Sequence, residues 1–527
     1  MVFSSHLFAI AGFLGLVLFY KLWKKGTPSH QRKGILLAPE PPGALPIIGH
    51  IHLLGGKRTL AQTLGAMADK YGPIFSIRFG AFPALIISNH EAVKECFTTN
   101  DRVLASRPKS NAGTYLGYDH AGFGFAPYGE YWRETRKLAV VELLSSHRLE
   151  TSKHVLDFEV NAFIKNLYLF CKKNGPDANP KAVISHKFEA LTLNTITRMI
   201  AGKRYISDGE EEDDVEARHV IKVIKDFMYV SGLIAPSEAM PFLGWMESIF
   251  GGPVKSMKRV AKEIDSIIGR WVDEHKLKRL MSEADHNNQD FIDLLLSAIG
   301  EDSMFGYTRE TIIKATVMNL FLAGADTTSI ALTWILSNLM NNRHTLKTAQ
   351  EELDLKVGRD KWVQDSDIEK LVYLQAVIKE TLRLYPPGPI SVPHEAREVC
   401  SISGYHVQKG TRVIVNLRRL HRDPRIWSNP DEFQPERFLT SHANVDVLGQ
   451  HFELIPFGSG RRSCPGMPLA LQITHLTIAR TLQGFDLTTP FNESVDMTEG
   501  LGITMPKATP LDVLLSPRLP AALYLQL

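Results

Sequence analysis

One cysteine constrains this chain more than its composition does. Cys464 lies in a glycine-rich stretch, Pro456-Phe457-Gly458-Ser459-Gly460-Arg461-Arg462-Ser463-Cys464-Pro465-Gly466, directly before an apolar helical pattern from Leu469 to Leu482. A helix amino end favours thiolate over thiol, and free amides near a sulfur temper its charge by hydrogen bonding. Arg462, two residues earlier, can hold an anionic group such as a carboxylate. Read alone, such a loop suits either a structural cysteine or a nucleophile.

The other cysteines, Cys96, Cys171 and Cys400, lie far apart with no C-x-x-C among them. Neither a zinc site nor a disulfide framework is indicated, and the body reads as the occupant of a reducing compartment. With 527 residues, 44% hydrophobic and 22% charged, the chain is long enough for a large core and is neither disordered, collagenous nor a polytopic transporter. Sixty basic against 57 acidic residues leave a net charge of +3, so no nucleic-acid partner is expected.

From Met1 to Tyr20 there is no Lys, Arg, Asp or Glu, and Lys21, Lys24, Lys25, Arg32 and Lys33 follow. About twenty helical residues span roughly 30 Å, the thickness of a bilayer core. Positive charge on the carboxyl side keeps that side cytoplasmic, whereas a cleaved signal would carry it before the apolar run. The sequence therefore predicts a membrane anchor over 1–23. A basic and proline-rich hinge over 24–46 follows, containing Pro39-Glu40-Pro41-Pro42-Gly43 and Pro46, and the body runs over 47–527.

In the body, Ile74 to Phe79 and Ala84 to Ser88 read as a hairpin joined by Gly80 to Pro83. Helical patterns dominate thereafter. Met257 to Met281 reads as one helix, interrupted over 284–289, with Asp290 to Ile299 as the next. Glu210 to Asp214 reads as a solvated acidic loop. A helix from Thr308 to Met340, roughly 50 Å long, is too apolar for a surface position. Inside it, Ala323-Gly324-Ala325-Asp326-Thr327-Thr328 breaks local rules, because Gly lowers helix propensity and a buried Asp is costly unless paired. This segment suits either close helix packing with a solvent-facing Asp or a functional distortion. No H-E-x-x-H, G-x-S-x-G or P-loop pattern is present, which removes the main support for metalloprotease, hydrolase and nucleotide-triphosphate readings.

Phe457-x-x-Gly460-x-Arg462-x-Cys464-x-Gly466 resembles the haem-binding loop of cytochromes P450 at every defining position. Three more segments follow in the family's order. Ala323 to Thr328 resembles its oxygen-activating helix, Glu380-Thr381-Leu382-Arg383 its E-x-x-R helix, and Pro435-Glu436-Arg437-Phe438 its P-E-R-F segment. Trp132 and Arg136 resemble the W-x-x-x-R that reaches a haem propionate. Finer detail over Phe123 to Lys137, Phe485 to Pro490 and Asp496 to Leu511 is similar to the plant 82 family, with Arg418 standing where relatives often carry Trp.

The resemblance implies a mainly α fold with small β-sheets behind an amino-terminal anchor helix, and a haem b whose iron takes the Cys464 thiolate. It implies that Asp326 and Thr327 deliver protons during oxygen activation. Trp132, Arg136, His394 and Arg462 would hold the haem propionates, with Phe457 and Gly466 completing the cofactor loop. Glu380 and Arg383, three apart on one helical face, would lock with Arg437 into a buried ion cluster.

The implied activity is hydroxylation of a neutral lipophilic terpenoid, flavonoid or alkaloid, using dioxygen and electrons from an NADPH-dependent cytochrome P450 reductase, at the endoplasmic reticulum membrane with the catalytic domain cytosolic. The reductase would dock near Arg133, Lys137 and Arg461. Substrate walls are expected from Ser110 to Ala126, around Phe227 to Met246, and at Leu322 to Thr327, Gly388 to Pro393 and Gly500 to Thr504. Phe123, Phe125, Phe227, Tyr229, Phe242 and Trp245 stand among them. Two other classes fit a haem-thiolate chain: an isomerase or dehydratase that needs no dioxygen, against which Asp326 and Thr327 argue, and a membrane-tethered haem sensor.

Overall fold

The computed structural model describes residues 36–56, 58–174, 180–206, 215–233, 235–239, 252–281, 289–300 and 305–527. The expected anchor, most of the hinge, the acidic run, and Phe242 and Trp245 lie outside the described residues. The part of the proline-rich segment that is described is pinned to the body. Pro39 O accepts from Ser76 N at 2.8 Å, His50 Nε2 lies 2.9 Å from Pro41 O, and Glu40 pairs with Arg78 at 2.8 Å.

Helix α1 (Leu60–Tyr71) begins at a capping box in which Thr59 Oγ1 accepts from Gln62 N and Gln62 Oε1 from Thr59 N, satisfying two donors that a helix start otherwise leaves free. The hairpin follows as β1 (Ile74–Phe79) and β2 (Phe82–Ile87), paired from Ile74 with Ile87 to Phe79 with Phe82. Its turn is therefore Gly80-Ala81, tighter than the sequence suggests. Pro83 stands inside β2, where pairing to the next strand starts only at Ala84, so its missing N–H removes no bond on that side.

The chain then builds α2 (Glu130–Glu142), α3 (Lys153–Lys173), the short β3 (Lys181–Val183), α4 (Ile184–Ala201), α5 (Val215–Ser231) and α6 (Pro253–Leu280). Next come α7 (Arg309–Asn341), α8 (Arg343–Lys356), α9 (Val372–Leu384), β4 (His394–Glu395), β5 (Cys400–Ile402), β6 (Tyr405–Val407) and β7 (Arg412–Val415). Then follow α10 (Met467–Gly484), β8 (Phe485–Thr488) and β9 (Asp512–Pro517), with a short helix at Ala521–Leu525 after them. The architecture is mainly helical with small sheets in the orders β1-β2-β7-β4, β3-β9-β8 and β5-β6.

Helix α7 is capped by Thr308, whose Oγ1 accepts from Thr311 N at 3.2 Å. Its 33 residues are apolar on most faces because protein covers it on most sides, and 78% of its most apolar window is buried. It is long and apolar enough to cross a bilayer, yet it is a core helix. Its closest neighbour is α4. A Cβ on Gly324 would lie 2.8 Å from Ile196 Cδ1, so a glycine is what lets the two helices approach.

Candidate active site

The Cys464 loop is folded by its own backbone before any side chain acts. Gly458 N donates to Ile455 O at 2.8 Å, Ser463 N to Gly460 O at 3.1 Å and Cys464 N to Phe457 O at 2.8 Å. Gly460 takes φ +66°, and a Cβ there would lie 2.4 Å from Asp101 Oδ1, so this position admits only glycine. Asp101 instead accepts from Arg461 N at 3.0 Å. Burial raises the Cys464 thiol pKa, while the Gly466 and Met467 amides and Arg136 pull it back down. The residue has exposed surface although protein surrounds it, as expected of a side chain that faces an internal space. A Cβ added at Gly466 would meet nothing within 4 Å, and Phe457 packs on the main core.

Beside the loop stand three guanidiniums that have no carboxylate partner among the described residues. Arg462 donates to Ala105 O at 2.6 Å, Phe123 O at 3.0 Å and Ala126 O at 2.7 Å. Arg136 Nη2 donates to Ser463 O at 2.5 Å, and Arg107 Nη1 to Val392 O at 2.9 Å and Pro393 O at 3.0 Å. Burial, then the neighbouring arginines, bring Arg462 down to about 8; burial and Arg136 bring Arg107 down to about 9. Carbonyls satisfy the N–H groups but not the charges, so the cluster calls for an anion. Trp132 lies under the Arg462 guanidinium at 4.2 Å, and its buried Nε1 has no acceptor among the described residues.

His394 Nδ1 is 2.8 Å from Leu104 O, which assigns it the proton and leaves Nε2 as the acceptor. Burial, with Arg107 and Arg462, holds this imidazole neutral far below its usual range. His394 can therefore grip a carboxylate only after Nε2 is protonated, which a neighbouring carboxylate would favour.

The buried ion cluster that the resemblance implies is formed. Glu380 accepts from Arg383 at 2.7 Å and 2.8 Å and from Arg437 at 3.1 Å. Arg383 also holds His421 O at 2.8 Å, and His421 Nε2 accepts from Ile455 N at 3.0 Å. Burial and two arginines take His421 down to about 3, so it stays neutral and keeps that acceptor. Hydrogen bonds thus run from α9 to the residues that enter the cysteine loop.

In α7, Thr327 Oγ1 donates to Ala323 O at 2.7 Å, a bond that draws a hydroxyl onto the helix backbone. Ala323 is exposed in the middle of a helix whose other residues are mostly buried, so this face too opens on an internal space. Burial raises Asp326 to about 6 against a hydrogen bond from Thr504 that lowers it. Its buried Oδ2 has no partner among the described residues.

A cavity of about 220 Å³ lies between β7, the residues before β4 and the segment 500–505. Its lining includes Arg107 and Phe125 but not Cys464 or Asp326, so it shares Arg107 with the guanidinium cluster without reaching the thiol. Of the segments expected to wall the substrate, Ser110, Pro389 to Pro393, Gly500 and Gly502 to Thr504 line this cavity. Phe227 is core instead, and Tyr229 is 48% exposed. Leu60, Phe79 and Arg412 join the wall without any signal in their local sequence.

The comparisons agree with this geometry. A family model described as Cytochrome P450 matches residues 39–511. The chain belongs to that family. A cytochrome P450 of Trigonella foenum-graecum, CYP82J17, is 50% identical over 512 residues, 96% of this chain and 97% of the relative. Xanthotoxin 5-hydroxylase CYP82C2 of Arabidopsis thaliana is 47% identical over 529 residues, 99% of this chain and all of the relative. A zebrafish cytochrome P450 solved with progesterone superposes with a TM-score of 0.72 at 25% identity, covering 87% of this chain and 99% of that one. Within the family the chain is a member of the plant 82 group, and this P450 is a monooxygenase.

The family and fold imply a cysteine-ligated haem b, a small-molecule substrate and a redox partner. The residues present fit such a cofactor: an inward-facing thiol, open space beside Gly466, an unpaired Trp132 Nε1 and guanidiniums waiting for carboxylates. Sequence reading missed Arg107. Its Ser-Arg-Pro context resembles any loop, and only its approach to Arg136 and Arg462 distinguishes it.

Proposed function

We propose that Cys464 is the iron ligand of this P450 and that Arg107, Arg136, Arg462 and Trp132 hold the haem propionates, with His394 joining when protonated. When bound, the haem supplies the electron transfer and dioxygen chemistry. The protein contributes the rest. The Gly466 and Met467 amides share the sulfur's charge, and the arginines orient the carboxylates by charge-assisted bonds. Asp326, one residue before Thr327, carries a buried carboxyl raised to about 6, so it can take up a proton and pass it toward the reacting oxygen.

The substrate is a neutral lipophilic plant specialised metabolite, a reading supported by the relative that bears the name xanthotoxin 5-hydroxylase. Residues 1–23 anchor the chain in the endoplasmic reticulum membrane, 24–46 connect it to the body, to which Pro39, Glu40 and Pro41 are already bonded, and 47–527 form the cytosolic catalytic domain. Electrons come from an NADPH-dependent cytochrome P450 reductase docking near Arg133 and Lys137. Arg461 contributes less to that face because it pairs with Asp101 at 3.1 Å.

The observation that carries this reading is one thiol and three guanidiniums within electrostatic reach of each other and without a carboxylate among them. The test is the carbon monoxide difference spectrum of reduced protein in microsomes beside Cys464→Ser. A thiolate-type Soret band that disappears in the variant is expected. A folded, haem-loaded wild type that lacks it overturns the ligand assignment.

A further inference from the structure

The carboxyl of Asp326 is reached from the cavity wall. The wall segment after Glu499 is fastened by its backbone to three other parts of the fold. Ile503 N donates to Met228 O of α5 at 3.2 Å, Met505 N donates to Pro387 O at 2.8 Å, and Met505 O accepts from Trp334 Nε1 of α7 at 2.8 Å. A Cβ on Gly232 would lie 2.8 Å from Ile503 N, so a glycine just past α5 is what lets the two segments approach. Thr504 lies between the two fastened residues, is 8% exposed and lines the cavity. Its hydroxyl donates to the Asp326 carboxylate.

A buried carboxylate is aimed, and its ionised form favoured, by the donors it accepts from. Asp326 has few of them. Its Oδ2 has no partner among the described residues. The charged groups whose field reaches it, Glu189 of α4 and Lys225 of α5, are paired with each other at 2.7 Å and act on it in opposite directions. The Thr504 bond is the larger of the two influences that favour the carboxylate. Losing that bond would leave the carboxyl free to turn and its proton more firmly held.

We propose that Thr504 is a positioning residue for proton delivery, its hydroxyl aiming the Asp326 carboxyl of α7 and tying it to the cavity wall. This rests on the reading of Asp326 as the group that passes the proton. Thr504 transfers none itself. Its backbone neighbours are held by α5, by α7 and by Pro387, so the aim of the carboxyl is set by the same segment that shapes the cavity.

The test uses the full-length holoenzyme with Thr504→Val, which keeps the volume and removes the donor, and Thr504→Ser, which keeps the donor. Three curves are taken between about pH 5 and 8. The first is the infrared absorption of the protonated carboxyl, as the difference between each protein and its Asp326→Asn counterpart. The second is the urea midpoint. The third is NADPH oxidation with reductase and no added substrate, which still needs protons because reduced dioxygen leaves as hydrogen peroxide only after taking up two. In wild type the infrared midpoint should fall at about 6, and stability should stop declining above it. Thr504→Val should move the infrared midpoint up by about one pH unit, the effect of losing one hydrogen bond to a charged group. It should also go on losing stability to about pH 7, and its NADPH-oxidation profile should move by the same amount and drop severalfold in height. Thr504→Ser should follow wild type in all three. Unchanged infrared and urea curves in Thr504→Val overturn the proposal. So does a shift of both with an unmoved oxidation profile, which makes Thr504 a structural neighbour only. If Thr504→Val does not fold, Thr504→Ala is read in the same way. A wild-type oxidation profile with no midpoint where Asp326 titrates overturns the proton-passing reading, and the proposal with it; the infrared and urea curves distinguish that failure from absence of the Thr504 bond.

Discussion

Arg383 and Glu380 meet as a two-pronged ion pair in which neither side chain is exposed to solvent, Nε to Oε2 at 2.7 Å and Nη2 to Oε1 at 2.8 Å. The pair sits one bond from His421 and two from the cysteine loop. Removing either partner leaves a buried charge, so Glu380→Ala or Arg383→Ala should cost about 3–5 kcal/mol. Urea unfolding and haem content measured together check this. An apolar double replacement, Glu380→Leu with Arg383→Met, should cost less than the two single losses added.

Asp326 gives a pH dependence whose direction is fixed. Burial raises its carboxyl to about 6, so the proton is held below that pH and is mostly gone by pH 8. If the group delivers a proton at Oδ2, product formed per NADPH consumed should fall as pH rises from 6 to 8. Asp326→Asn should lower the yield and flatten that slope. Because the folded pKa lies above the ordinary carboxylate value, the same group also takes stability from the fold as pH rises from about 4 through 6 and nothing further above it. Asp326→Asn should therefore unfold with a shallower loss across that window, read as a denaturant midpoint at each pH.

What the sequence disclosed follows the length scale of each interaction. Glu380 and Arg383 were legible because three residues on a helix share a face, and the cysteine loop because its glycines and its sulfur are contiguous. The long core helix declared itself through its apolarity. Arg107 did not, because its partners Arg136 and Arg462 come from a distant helix and a distant loop. Pro83 was placed in a turn because prolines favour turns, and only the late start of β7 pairing explains its place inside a strand.

Arg418 was visible as a departure, but not its purpose. Its Nε donates to Glu499 Oε1 at 2.7 Å, Gln62 holds Oε2 at 3.0 Å, and the Glu499 side chain is only 4% exposed. The next residue, Gly500, and Gly502 to Met505 line the cavity. Arg418→Trp would leave that carboxylate short of its cation and should cost roughly 1–3 kcal/mol, with Glu499→Gln restoring part of the loss in the double variant. A double-mutant cycle in urea measures the coupling. Ligand affinity should fall together with stability in the single variant, since the displaced carboxylate adjoins the cavity wall.

The oxygen-activating segment is held from outside its own helix as well. Thr192 of α4 is fully buried, and its Oγ1 lies 2.8 Å from Ala325 O, 3.0 Å from Phe188 O and 3.2 Å from Glu189 O. The bond to Ala325 crosses between helices at the point where Gly324 admits Ile196, so it fixes the backbone one residue before Asp326. Thr192→Val keeps the volume and removes the donor, and should cost about 1 kcal/mol of stability. Its more telling effect should be on coupling: less product per NADPH and more hydrogen peroxide, with faster amide exchange over 323–329. Thr192→Ser, which retains the hydroxyl, should recover most of the yield. If Thr192→Val loses stability while product yield and its pH slope stay unchanged, the bond serves packing alone and Asp326 takes its position from α7 and Thr504.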